Sequence, residues 1–217
     1  MKEENIDMIE IREDLEEVEL RATDDGKEVI TGYAIVFNRE SQDLGGFKEI
    51  ILPSAVDGVR WSETIATFNH NADNILGRVP KTMTLTVDER GVKVEIVPPD
   101  TTVGRDVMEL IRRRDVKGMS FTFRIKKNGD KWEQPKGDKG PYLRTISAFD
   151  IIPELGPVAM PAYPSTNVSV AKRALSMLMD EKERQESDQI ERENQLQKIK
   201  LQNYHRAMRL KLRGRKG

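Results

Sequence analysis

Ser120 stands in Lys117-Gly118-Met119-Ser120-Phe121-Thr122-Phe123, directly after a loop that leaves an arginine-rich segment, and Gly118 would let another backbone come close. His70 follows the apolar run Thr64 to Phe68 and lies in Asn69-His70-Asn71, a polar rim position that keeps an imidazole within reach of solvent. Glu154 lies in Ile151-Ile152-Pro153-Glu154-Leu155-Gly156-Pro157, an acid among apolar residues and prolines that would be costly to bury without a partner. A serine hydroxyl is a weak nucleophile until a base takes its proton, and an imidazole base works best when a carboxylate fixes its tautomer. Ser120, His70 and Glu154 supply those three roles. Ser120 and His70 also have ordinary readings, as a polar-face strand residue and a structural histidine, and Glu154 needs a partner. Spacing alone does not bring them together, because such triads occur in several chain orders on unrelated folds.

Composition removes most competing chemistry. The 217 residues include no cysteine, which excludes disulfides, thiolate-bound zinc, iron-sulfur clusters and a cysteine nucleophile. With only two histidines, His70 and His205, a neutral-pH base in the body must be His70, and a histidine-rich metal site is not expected. No metal or organic cofactor is implied. The sequence lacks a G-x-S-x-G elbow, an H-E-x-x-H pair, a phosphate-binding G-x-x-x-x-G-K-[ST] loop and an Asp-Thr-Gly triplet. No apolar run is long enough to span a membrane, and the first twenty residues are acidic where a signal peptide would be basic and then apolar, so a cytosolic protein is expected.

Short strands must position these residues. Val29 to Phe37 is β-branched and aromatic between turn signals, and Thr64 to Phe68, Thr82 to Val87 and Val92 to Val97 alternate with period two. Asp88-Glu89-Arg90-Gly91 fits a hairpin turn, so the last two of these should pair antiparallel. Residues 102–114 switch to helical period, with Val103, Val107, Leu110 and Ile111 on one face. Ser54 could cap a second short helix before Trp61. Met119 to Ile125 alternates again, with Ser120, Thr122 and Arg124 on one face and Met119, Phe121 and Phe123 on the other. Leu143 to Ile152 reads as one further strand, reached through a polar loop at 127–141. The whole suggests a mixed α/β but β-rich fold, a closed or partly closed barrel of about six to eight strands with flanking helices.

The formal net charge of −1 conceals segregation. Residues 1–20 hold nine acids and two bases, residues 180–193 seven acids and three bases, and residues 194–217 eight bases and no acid. Residues 174–217 lack Gly and Pro until Gly214 and read as a polar helix or disordered tail, with Leu201, Tyr204 and Met208 as a short stripe. A boundary is therefore expected near Ala171 to Ala174, giving domains 1–173 and 174–217. The basic end could bind phosphates, but residues 1–173 carry a net charge of −5, so nucleic acid is not expected as the main partner. A non-enzymatic assembly scaffold is the other class considered. The apolar positions of the tail do not sustain heptads through 180–195, which argues against a continuous coiled-coil seam.

Taken in order, Gly32-Tyr33-Ala34-Ile35-Val36-Phe37-Asn38, the FKEIILPSA stretch from Phe47 to Ala55, Phe68-Asn69-His70-Asn71, Gly77-Arg78, the 102–114 helix, Gly118-Met119-Ser120-Phe121 and the Glu154 to Pro164 segment ELGPVAMPAYP form a joint pattern. It resembles the prohead maturation proteases of tailed double-stranded-DNA phages, which look related in fold to the herpesvirus assemblin proteases, over roughly residues 8–173. The resemblance implies a serine endopeptidase inside an immature capsid in the host cytoplasm. Such an enzyme trims scaffolding segments from the major capsid protein, cuts itself, and could be a homo-oligomer. It implies His70 as the histidine of the Asn-His pair, Ser120 as the nucleophile, and Glu154 as the acid before Pro161 to Pro164, with Asp150 as the alternative third member. The assemblin-type arginines that help hold the oxyanion have no counterpart in residues 155–164, leaving backbone N–H groups near Ser120, or Arg124, as candidates. The tail corresponds to a helical extension beyond the catalytic match, expected to address the enzyme to the scaffold.

Overall fold

In the computed structural model the described residues are 9–14, 18–135, 140–159 and 169–213, without the side chains of 13, 14, 169 and 201–213. The chain forms two compact units, Met1–Val170 and Ala171–Gly217.

The first unit is built from three sheets. One is five-stranded, in the order β1 (Glu10–Asp14), β9 (Gly118–Ile125), β12 (Phe149–Val158), β5 (Ile65–Phe68) and β6 (Asn71–Arg78). A second has the order β2 (Glu19–Ala22), β3 (Glu28–Val36), β8 (Gly91–Ile96) and β7 (Met83–Val87). The third has β10 (Asp130–Glu133), β11 (Tyr142–Ile146) and β4 (Phe47–Ile51). None closes on itself among the described residues, so the expected barrel is represented by three open sheets around a shared core. Alternation, reset in β3 by a register shift between Tyr33 and Ile35, delivers that core: Ile30 and Ile35 from β3, Val92 and Val94 from β8, Phe121 and Phe123 from β9, Leu155 from β12 and Ile146 from β11 are all buried in one cluster. Phe121, Phe123 and Phe149 meet with ring centroids 5.0–6.0 Å apart, each pair tilted or offset as aromatic quadrupoles favour.

The β7–β8 hairpin forms as its turn signal indicates, with Val87 opposite Val92. Helix α1 (Thr102–Arg112) starts where Thr101 accepts the Gly104 N–H on its hydroxyl at 3.2 Å, and it buries Val107 and Ile111.

Three local expectations change. Ser54 does not cap a helix: Leu52 occupies that position before a single 3-10 turn, Pro53–Val56, and the Ser54 hydroxyl instead donates to the Ser147 carbonyl at 3.3 Å. The run 143–152 is two strands. Ser147 and Ala148 both donate their N–H to the Gly129 carbonyl, at 2.7 and 3.0 Å, and the chain passes from β11, parallel to β4, into β12, antiparallel to β9. The polar loop 127–141 contains β10, which pairs with β11 because Trp132 packs on Phe47 at 5.1 Å and Asp130 accepts from Arg144 at 2.7 Å.

Helix α2 (Ser169–Arg213) runs 45 residues, beginning upstream of the expected 174, and from Ala171 onward it belongs to the second unit. The stripe Leu201, Tyr204 and Met208 is on its backbone, but those side chains lie outside the described residues, as do Pro161 to Pro164. No described helix is long and apolar enough to cross a membrane.

Candidate active site

The five-stranded sheet carries all three candidate residues on neighbouring elements. Antiparallel pairing of β9 with β12 sets Ser120 opposite Gly156 and Thr122 opposite Glu154, and parallel pairing of β12 with β5 sets Glu154 beside Ile65. Gly156 permits this joint: a Cβ there would lie 2.0 Å from the Thr67 carbonyl oxygen.

His70 arrives through a two-residue hairpin. Phe68 pairs with Asn71, and the two residues between them, Asn69 and His70, have φ of 54° and 56°. Positive φ at both central residues is what a type I′ turn requires. Asparagine and histidine are among the side chains that enter this region most readily, though a non-glycine residue there still costs about 1–3 kcal/mol. The turn is tied to the end of β12, where the Asn69 N–H donates to the Pro157 carbonyl at 3.1 Å and the Ala159 N–H donates to Asn69 Oδ1 at 2.8 Å.

The side chains then meet in one line. His70 Nε2 is 2.6 Å from Ser120 Oγ, and His70 Nδ1 is 2.5 Å from Glu154 Oε2. The second carboxylate oxygen accepts from the Thr67 hydroxyl at 2.6 Å. Ser120 is fully buried, while the His70 side chain retains 19% of its exposure. The face of β9 that carries Ser120 and Thr122 is thus not an open polar face: Thr122 is buried too, and its hydroxyl donates to the Glu154 carbonyl at 3.3 Å.

Asp150 and Arg124 sit elsewhere. The alternative acid is taken by the candidate oxyanion arginine, Arg124 reaching Asp150 Oδ2 from Nη2 at 2.5 Å. Arg124 is four residues along β9 from Ser120, about 13 Å at ~3.3 Å per residue. Its guanidinium is engaged by Asp150, and the acid that meets His70 is Glu154 rather than Asp150.

Two participants lay outside the sequence reading. Thr67 is one; its signal was a hydroxyl interrupting the apolar run TIATF. The other is β1, which pairs with β9 so that the Arg12 carbonyl accepts a hydrogen bond from Ser120 Oγ at 2.9 Å. The Arg12 guanidinium lies in a buried ionic cluster with Glu49 and, at 2.7 Å, Glu10. Arg144 completes the cluster, 2.8 Å from Glu10, 2.7 Å from Glu49 and 2.7 Å from Asp130. Burial alone would raise the Glu49 carboxyl, but Arg12 and Arg144 outweigh it and hold the group below its ordinary value. Burial likewise opposes the charge on both arginines, and their acids outweigh it, so each is held more firmly protonated.

Among the described residues no cluster of three or more His, Asp or Glu side chains could hold a metal ion. The line of donors and acceptors can instead move a proton from a serine hydroxyl to an imidazole whose far side is held by a carboxylate, which is serine-peptidase chemistry.

The model of one family, caudovirus prohead serine protease, matches residues 16–181, a span that includes every residue of this line. The chain belongs to that family. It is a serine peptidase of prohead maturation in tailed phages, acting on capsid protein inside the procapsid in the host cell. No curated protein and no solved structure matches it.

Proposed function

We propose that Ser120 is the nucleophile, His70 the general base and acid, and Glu154 the residue that orients His70, in a peptidase that releases scaffolding segments from the major capsid protein and also cuts its own chain. The observation that carries this reading is the continuous line Ser120 Oγ to His70 Nε2 at 2.6 Å and His70 Nδ1 to Glu154 Oε2 at 2.5 Å.

In the forward half-reaction His70 Nε2 takes the Ser120 proton as Oγ adds to a peptide carbonyl carbon. The resulting imidazolium is stabilised by Glu154 and returns the proton to the departing amine nitrogen, leaving an acyl ester on Ser120. Water then adds to the ester carbonyl as His70 removes one of its protons, and that proton passes to Oγ as the carboxylic acid leaves. The Ser120 hydroxyl has one hydrogen and two neighbours that can accept it, His70 Nε2 and the Arg12 carbonyl, and only the first arrangement begins this sequence.

The accompanying fold reading is a partly closed, assemblin-like barrel for residues 1–173, supported by the single core shared by the three sheets. Residues 174–217 are read as an accessory tail that addresses the enzyme to the scaffold, and homo-oligomers within the prohead fit the same picture.

Intact-mass spectrometry tests the reading. The chain and its Ser120→Ala form are each expressed alone and with a capsid protein that carries its scaffolding segment. Discrete fragments of both proteins from the wild type, absent with Ser120→Ala, are expected. Persistence of the same fragments with Ser120→Ala would refute it. A chain ending at residue 173 is expected to keep the activity if the domain assignment is right.

A further inference from the structure

A carboxylate that orients an imidazole must itself be held. Glu154 offers Oε2 to His70, and the state of Oε1 decides whether the carboxylate plane is free to turn about its terminal bond. Oε1 accepts the Thr67 hydroxyl at 2.6 Å, and Thr67 is 1% exposed, so bulk water does not compete for that bond.

Thr67 owes this contact to an irregular stretch of sheet. The pairing of β5 with β6 shifts register between Ala66 and Thr67 and again between Thr67 and Phe68, and β12 shifts between Ile151 and Glu154. Such bulges re-aim side chains locally. On the other side Gly156 lets β12 close onto the Thr67 backbone. One strand therefore carries the hydroxyl that holds Glu154 and leads directly into the turn that holds His70.

We propose that Thr67 is a positioning residue of the active site: its hydroxyl pins Glu154 Oε1 so that Oε2 stays aligned with His70 Nδ1. This rests on the reading of Ser120, His70 and Glu154 as the reacting line. With Nδ1–H donated to Oε2, the imidazole keeps Nε2 free to accept the Ser120 proton. Thr67→Val keeps the branched shape and removes the donor. The released carboxylate then loses its fixed plane, and the alignment of the base becomes one of several arrangements.

The test uses the full chain and an aryl phosphonofluoridate, which labels an activated serine with loss of fluoride and is followed by intact mass. Rates are taken per folded molecule, with the folded fraction measured by circular dichroism at the assay temperature. Thr67→Val is expected to lower the maximal labelling rate by about 10- to 100-fold, the order of loss found when a hydrogen-bonding partner that orients a metal-ligating side chain is removed, with little change in the half-saturating probe concentration. Thr67→Ser, which restores the hydroxyl, is expected to recover the rate to within about threefold, a recovery that mere loss of packing would not give. In a Glu154→Ala background Thr67→Val should cost nothing further, because the group it holds is gone. A wild-type rate for Thr67→Val, or an equal loss in both backgrounds, would overturn the proposal. Full labelling of Ser120→Ala would instead overturn the reading on which it rests, so the two failures are separable.

Discussion

Gly156→Ala should uncouple activity from folding in a way that can be worked from the distances. The added Cβ would stand 2.0 Å from the Thr67 carbonyl oxygen and 3.0 Å from its carbon and nitrogen, where ordinary contact begins near 3.4 Å. Strands β12 and β5 must therefore separate by about 1.4 Å at this point. The hydrogen bonds that span the same joint, His70 to Glu154 at 2.5 Å and Thr67 to Glu154 at 2.6 Å, do not survive an opening of that size. A misplacement of about 1 Å in a reacting constellation costs roughly 10²-fold in rate. Overpacking costs about 1–3 kcal/mol of stability, which for a unit of this size lowers Tm by about 2–4 °C per kcal/mol. Gly91→Ala is the matched control: its Cβ would lie 1.9 Å from the Ile35 carbonyl oxygen, between β8 and β3, which carry none of the reacting groups. Melting is followed by circular dichroism and activity by phosphonate labelling per folded molecule. Similar losses of Tm are expected in both variants, with the 10²-fold rate loss confined to Gly156→Ala. A labelling rate within threefold of wild type for Gly156→Ala, or an equal rate loss in Gly91→Ala, would refute the argument that this joint sets the site.

The buried ionic cluster yields two further predictions. Arg144→Met removes the cation shared by Glu10, Glu49 and Asp130 and leaves buried carboxylates undercompensated, so a loss of about 3–5 kcal/mol is expected. Calorimetry should show it as a fall in Tm of about 6–20 °C, and a change under ~1 kcal/mol would mean that the acids find other partners. The second concerns pH. Arg12 and Arg144 hold the Glu49 carboxyl below its ordinary value, so its contribution is complete above that ordinary value and is lost as pH falls through the depressed one. Glu49→Gln should accordingly be less stable than wild type at neutral pH, with a deficit that shrinks on acidification below about pH 4.5. Denaturant midpoints across that range check the sign, and a deficit that grows with acid contradicts it.

Where partners are close in sequence or the period is regular, the elements were legible. The hairpin of β7 and β8, helix α1 and the core face of β9 follow from alternation, a turn signal and a helical stripe. The N-terminal strand inverts that logic. In Ile9-Glu10-Ile11-Arg12 the charged residues are buried, at 3% and 8% exposure, and Ile9 is exposed at 43%. Period two was present, but which face points inward depends on Glu49, 37 residues from Arg12, and on Arg144, 134 residues from Glu10. Only tertiary structure supplies those partners. The break at Ser147 and Ala148 was hidden for the same reason, because the Gly129 carbonyl that receives both N–H groups comes from a loop with no pattern of its own.

The reacting residues themselves were found by chemical type, yet nothing local showed how they would meet. Regular strands present side chains at fixed intervals and alternating faces, so a nucleophile, a base and an acid on three regular neighbours would need coincidence to align. Here the alignment is made by departures from regularity: register shifts on either side of Thr67, another ahead of Glu154, and a turn with positive φ at both Asn69 and His70. Each departure costs some ladder pairing or backbone strain, and together they lie where Glu154 receives one hydrogen bond from the strand and another from the turn that follows it. The hydrophobic cluster and the neighbouring ionic cluster bind the surrounding strands firmly enough to keep these irregular segments in place. That division predicts opposite signatures for damage: loss of the ionic cluster should appear first in melting, whereas loss of Thr67 or Gly156 should appear first in the rate per folded molecule.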